Sequence, residues 1–189
     1  MDRDKLEAGV RLILEGLGLD SDNPHLADTP RRTAETLHDE ICAGLTNPEP
    51  ELDVFPLEEG MQTAMVALDD IPVKSLCAHH LLPFSGQATV AYLPGQTLCG
   101  LSKLSKAVNH FARRPQLQEL LGQQIARFLS DKLQPRGVAV IIQASHYCME
   151  IRGVNHPGTM TTQSFTGAFE KDAALRAEVM GLVGRRKDG

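Results

Sequence analysis

The 189-residue sequence predicts an α+β fold, with helices before, between and after groups of strands. Three observations lead there. Apolar residues recur at helical spacing as far as residue 45, the period shortens from residue 62, and paired helical and extended stretches then follow one another. With 42% hydrophobic residues the chain can build a proper core, which argues against disorder. Aromatics make up 4% and Trp is absent, so aliphatic packing must dominate. The length suits one domain, here residues 51–189, carrying a helical appendage over residues 1–50.

Taken in order, "DKLEAGVRLILEGLGL" spaces Leu6, Val10, Ile13, Leu14 and Leu17 as a helix, and Gly18 suits its stop. "DTPRRTAETLHDEICAGL" opens with Thr29 as N-cap and Pro30 at the first helical position, with Ala34, Leu37, Ile41 and Leu45 as its buried stripe. The Pro-rich "TNPEPELDVFP" reads as a connector. "QTAMVALDDIPVKSLC" and "GQATVAYLPG" read as strands, with a turn at Pro94-Gly95. "LSKLSKAVNHFARR" and "PQLQELLGQQIARFLSDKL" are two helices, the second opened by Pro115. "GVAVIIQASHYCMEIRG" is the strongest strand signal, "VNHPGTMTTQSFTGAF" a loop leading into a short strand, and "KDAALRAEVMGLVGRR" a closing helix.

A formal net charge of −5 argues against nucleic acid as partner, so positive charge for an anionic ligand must be gathered locally. No stretch approaches the roughly 20 apolar residues of a membrane span, and the start lacks a signal-peptide pattern. A cytoplasmic protein with no membrane partner is the expectation. Four cysteines then read as thiols or metal ligands rather than disulfides.

Thiolate and imidazole are preferred zinc ligands, and Cys77 and His80 in "SLCAHHLLPFSG" have a chelating spacing. Cys148 in "SHYCMEIRG" is the best candidate for the second half of the site. Three ligands, Cys77, His80 and Cys148, leave a fourth position for water, as in a catalytic zinc site. A closed structural site, with His79 or His146 as fourth ligand, stands level with it on spacing alone. Strand alternation would point His79 and His80 to opposite faces, a bend at 78–79 would let Cys77 and His80 converge, and alternation would put His146, Cys148, Glu150 and Arg152 on one face. Cys42 and Cys99 read as core residues, and His25, His38 and His156 as surface or cap positions.

"CGLSKLSKAVNHFARR" places Gly-Leu-Ser-Lys where a strand or loop gives way to a helix. Ser102 can cap that helix, whose N–H groups and dipole favour phosphate, and Lys103 and Lys106 share one of its faces. Taken alone, such lysines and the Arg31-Arg32 and Arg113-Arg114 pairs are ordinary solvated charges.

Together, "CAHHLLPFSGQATVAYLPG", "GLSKLSKAV", "FARRPQLQE" and "HYCMEIRGV" resemble GTP cyclohydrolase I, in order and over nearly the whole chain. The resemblance implies the T-fold, an antiparallel sheet with helices on one face, in a homodecamer with active sites between subunits. It implies Zn2+ on Cys77, His80 and Cys148, with His79 and His146 as catalytic histidines. It implies Gln118 and Glu119 at the guanine edge of GTP, and Ser102, Lys103, Lys106, Arg152 and Arg32 on the triphosphate. The implied reaction is hydrolysis at C8 of the purine with release of formate, giving 7,8-dihydroneopterin triphosphate, the first step of tetrahydrofolate and pterin synthesis. Histidine suits the proton transfers because its pKa lies near the working pH. Iron fits a donor set of two thiolates and an imidazole as well.

Three positions depart from the family's pattern. Ala78 stands where Glu is usual, Lys106 where Arg gives a bidentate grip on phosphate, and Glu150 where relatives often carry an apolar or basic residue. Glu150 is expected to replace the charge missing at Ala78, orienting an imidazole or pairing with Arg152, or else to point to solvent. These departures leave two alternatives: a paralogue acting on a related purine nucleotide in a specialised pathway, and a non-catalytic zinc-binding T-fold protein.

Overall fold

The computed structural model describes residues 1–20, 23–61 and 65–183. Residues 62–64 of the first expected strand and 184–186 of the last expected helix lie outside the described residues. The N-terminal helices are α1 (Arg3–Gly16) and α2 (Thr29–Glu35), which pack on each other. After them come β1 (Val54–Pro56), β2 (Val66–Cys77), β3 (Pro83–Leu93), β4 (Thr97–Cys99), α3 (Leu101–Ala112), β5 (Pro115–Gln116), α4 (Gln118–Leu133) and β6 (Gly137–His146). A helical turn α5 (Tyr147–Glu150), β7 (Thr159–Gly167), α6 (Ala168–Lys171) and α7 (Ala173–Met180) complete the chain.

The main sheet has strand order β5-β2-β3-β6-β7, antiparallel throughout except for the short parallel pairing of β5 with β2. Period-two alternation sorts its side chains. Val73, Ala88, Val90, Tyr92, Val140 and Ile142 meet Leu104, Val108, Leu121, Ile125 and Leu129 of α3 and α4, all buried in one core. Each large aliphatic chain so buried contributes about 1.5–3 kcal/mol. On the other face a smaller cluster, Ala91, Leu93, Ala139 and Ile141, is covered by Phe169 and Val179 from the C-terminal helices. That cover reaches only part of the second face, and α3 and α4 remain the main helical layer.

The sheet has two distinct ends. At one, Tyr92 pairs with Val66 and Val138; at the other, Phe84 pairs with Ser75 and His146. Helix α3 joins them: its start lies by Cys99, whose N–H donates to the Tyr92 hydroxyl at 2.8 Å, and it leads to Pro115, paired with Leu76.

Several local expectations are corrected. Within the connector, Val54–Pro56 forms a two-stranded ribbon with Thr97–Cys99. Helix α4 opens at Gln118 because Pro115 and Gln116 lie along β2 instead. Asp28 rather than Thr29 is the N-cap of α2. The chain then passes into a π-helical turn over Thr36–Ile41, whose wider winding rotates the stripe, so Ala34 is buried while Leu45 is 54% exposed. The largest correction concerns β6, which ends at His146. Beyond Phe84 and Ser145 neither neighbour offers a pairing partner, so residues 147–150 curl into a helical turn, with the Ile151 N–H on the Tyr147 carbonyl at 3.1 Å. Cys148, Glu150 and Arg152 therefore do not continue a strand face from His146. Among the described residues no helix is long and apolar enough to cross a membrane.

Candidate active site

Strand β2 delivers Cys77, 6% exposed, to the end of the sheet, where the chain reverses. Backbone bonds define the reversal. The Cys77 N–H donates to Leu82 O at 2.8 Å, the Leu81 N–H to Cys77 O at 2.8 Å, and the Ala78 N–H to Gln116 O at 3.0 Å. Leu81 is held at φ 54°, a left-handed conformation that costs a branched residue energy and is imposed by the bonds around it.

Because residues 78–80 form a turn, strand alternation does not separate His79 from His80. Both aim Nδ1 at Cys77 Sγ, at 3.9 Å and 3.8 Å, and the three donor atoms lie within 4.8 Å of one another. Ligands bound tetrahedrally to one zinc ion at its usual bond lengths are about 3.5 Å apart. The cluster is thus close to a chelating arrangement. Cys148, from the turn after β6, lies against Cys77; burial and then the neighbouring Cys77 thiol push its pKa up. Two thiols and imidazoles suit zinc or another thiophilic metal.

His146 sits at the end of β6, partly buried. Its ring stacks on Phe84 with centroids 4.5 Å apart and planes 10° from parallel, and its Nε2 meets Gln118 Oε1 at 2.8 Å. Burial lowers its pKa, opposed by the carboxylates of Glu119 and Glu150. The guanidinium of Arg152, for its part, bonds His80 Nε2 at 2.5 Å rather than Glu150.

The phosphate candidates are placed differently. Ser102 is not the cap of α3: Gly100 holds that position without a side-chain cap, leaving Ser102 exposed in the first turn. Lys103 forms an ion pair with Asp53 at 3.1 Å, and Lys106 is exposed one turn on. All three lie towards the Tyr92 end, and the whole length of α3, about 18 Å for 12 residues, leads from that start towards the Cys77 turn. Arg32 is exposed on α2 and pairs with Asp28 at 3.1 Å.

One chain therefore brings together Cys77, His79, His80, Cys148 and Arg152, with His146, Gln118 and Glu119 alongside. It leaves Ser102 and Lys103 in the first turn of α3, towards the opposite end, and Lys106 midway along that helix. Sequence reasoning missed Phe84, the ring under His146, and Gln116, whose carbonyl holds the Ala78 N–H. Their signal was only that Phe84 is the first aromatic carbocycle after the turn and that Gln116 follows a proline.

The sequence pattern of GTP cyclohydrolase I matches residues 6–184. The chain is 48% identical to the GTP cyclohydrolase 1 of Carboxydothermus hydrogenoformans, over 98% of this chain and 97% of that one. It is 45% identical to the GTP cyclohydrolase 1 of Clostridioides difficile and 44% identical to that of Listeria monocytogenes serotype 4a, each over 97% of both chains.

Proposed function

Because the chain belongs to the GTP cyclohydrolase I family, a family of enzymes with the T-fold, we propose that it converts GTP and water to formate and 7,8-dihydroneopterin triphosphate. This is the first step of tetrahydrofolate and pterin synthesis, carried out in the cytoplasm. The observation that carries the reading is the meeting of the Cys77–His80 turn with Cys148 and His146 at one end of the sheet.

Cys77, His80 and Cys148 would hold zinc, and the donor set present in this chain fits it. When bound, zinc supplies a Lewis acid that makes hydroxide available near neutral pH. The chain's own groups do the rest. His146, held between Phe84 and Gln118, presents its ring to the purine and moves a proton at the nitrogen next to C8. His79, exposed beside Cys77, exchanges protons as the imidazole portion opens. Glu119, exposed at the start of α4, accepts from the ring N–H and amino group of guanine, with Gln118 beneath it.

Ser102, Lys103, Lys106, Arg152 and Arg32 collect on the triphosphate. The separation of the α3 start from the Cys77 turn supports a site shared between copies, with one subunit's lysines serving another's zinc turn. The edge strand β7, nine residues long, and the largely uncovered outer edge of β2 supply the backbone groups for such assembly. The homodecamer fits this reading, with residues 1–50 as an appended helical region on the catalytic domain.

The test is incubation of the purified protein with GTP, with and without a chelator, while following formate and pterin fluorescence. Formate and pterin that disappear on metal removal are expected. No pterin from GTP under any metal loading would sink the reading.

A further inference from the structure

We propose that Gln118 is a positioning residue that fixes the tautomer and plane of His146, and that its side chain does not read the guanine edge. This rests on the catalytic role given to His146 above. Gln118 is 1% exposed, at the first position of α4. Its amide nitrogen donates to the Ile142 carbonyl at 3.0 Å, the Met160 carbonyl at 3.0 Å and the Thr162 hydroxyl at 3.2 Å. Backbone carbonyls only accept, so the amide can be placed only one way round: a flipped amide would set oxygen against two oxygens in a buried space.

The consequence passes to the histidine. With the nitrogen committed to β6 and β7, it is Oε1 that faces His146 Nε2 at 2.8 Å, and an amide oxygen cannot donate. His146 must therefore carry a proton on Nε2, and in its neutral form the free lone pair is on Nδ1. Phe84, stacked beneath the ring at 4.5 Å, removes the remaining rotational freedom. Two neighbouring strands thus dictate, through one buried amide, which nitrogen of His146 can accept a proton. Gln118 has neither exposed surface nor a spare amide hydrogen for a nucleotide; exposed Glu119, the next residue, has the carboxylate that guanine recognition needs.

The zinc-loaded, 15N-histidine-labelled protein would be studied by magic-angle-spinning NMR, well above the ordinary histidine pKa. His146 would be assigned by the signal missing in His146→Gln. A protonated Nε2 and bare Nδ1 are expected in the wild type, and a proton on Nδ1 would overturn the proposal without any Gln118 variant. Gln118→Met keeps length and volume but removes the acceptor. It should lower kcat by about 10- to 100-fold with KM for GTP unchanged, and lose the hydrogen-bonded Nε2–H signature. A raised KM with kcat and the His146 spectrum retained would instead assign Gln118 to the substrate. If the wild type releases no formate from GTP, the functional reading falls while the tautomer result stands, so the two failures are distinguishable.

Discussion

At the Phe84 end of the sheet, the groups assigned to chemistry are gripped by residues that are themselves buried: Cys77, Phe84 and Gln118 are 6%, 0% and 1% exposed. At the Tyr92 end, Ser102 and Lys106 stand in solvent on the first turns of α3, and only Lys103 is held, by Asp53. On the proposed function, the difference follows from what each end would have to do. Bond making requires reacting groups fixed to within fractions of an ångström, which only a packed and hydrogen-bonded surround provides. Attraction of a polyanion works over several ångströms and tolerates mobile lysines. The first end is assembled within one chain, whereas the second is left open to solvent.

That contrast is open to measurement, since damage to the packed end should lower kcat and stability and damage to the open end should raise KM alone. The largest effect is expected from Cys77→Ser: metal content measured by elemental analysis should collapse and formate release fall to background. Retained zinc with normal turnover would break the ligand assignment. Phe84→Ala comes next. A fully buried ring lost from a core costs about 3–5 kcal/mol, read as a lowered urea midpoint, and the surviving enzyme should show reduced kcat because His146 loses its stacking partner. Lys106→Ala should be milder and of the other kind. KM should rise about tenfold, near 1.4 kcal/mol, with kcat and thermal midpoint unchanged and the difference shrinking in high salt. Lys106→Arg should tighten binding through a bidentate grip. A fall in kcat for either Lys106 variant would erase the distinction between the two ends.

The sequence revealed more of the packed end's chemistry than of its geometry. Cys77 and His80 were legible as candidate ligands from their chelating spacing, Cys148 as the best candidate for the second half, and α3, α4, β2, β3 and β6 because periodicity reports burial. A bend at 78–79 that lets Cys77 and His80 converge was legible, whereas the turn's bringing His79 to the same thiol and the end of β6 at His146 were not. Both depend on where a neighbouring strand runs out of partners, which is a property of the pairing and not of "HYCMEIRG" itself. Extending the strand wrongly put Cys148 on the His146 face, and alternation wrongly parted His79 from His80. Gln118 could be recognised as a site position only by resemblance, and its place beneath His146 came from two strands distant in sequence. The open end was legible in its charges, yet its distance from Cys77 became visible only once α3 was laid along the sheet.

The smallest effect concerns how the packed end is fastened to the N-terminal segment. At the last turn of α3, one guanidinium nitrogen of Arg114 donates to the Gly44 carbonyl at 2.6 Å and to His110 Nε2 at 3.0 Å. The Gly44 N–H returns a bond to the Arg113 carbonyl at 2.9 Å, and a β-carbon at Gly44 would collide with the His110 carbonyl oxygen. His110 is thus an acceptor beside a permanent cation. Burial first and Arg114 second lower its pKa below the ordinary 6.5, with Glu49 opposing. In the unfolded chain His110 takes up its proton at the ordinary value, so below about 6.5 the unfolded state binds more protons and stability falls with pH. The contribution is complete above that value and is lost as pH drops through the lowered one. His110→Gln keeps an acceptor for Arg114 and has no proton to gain. Its urea midpoint should match the wild type at neutral pH and fall less steeply on acidification. If the two proteins lose stability in parallel, the acid sensitivity lies elsewhere.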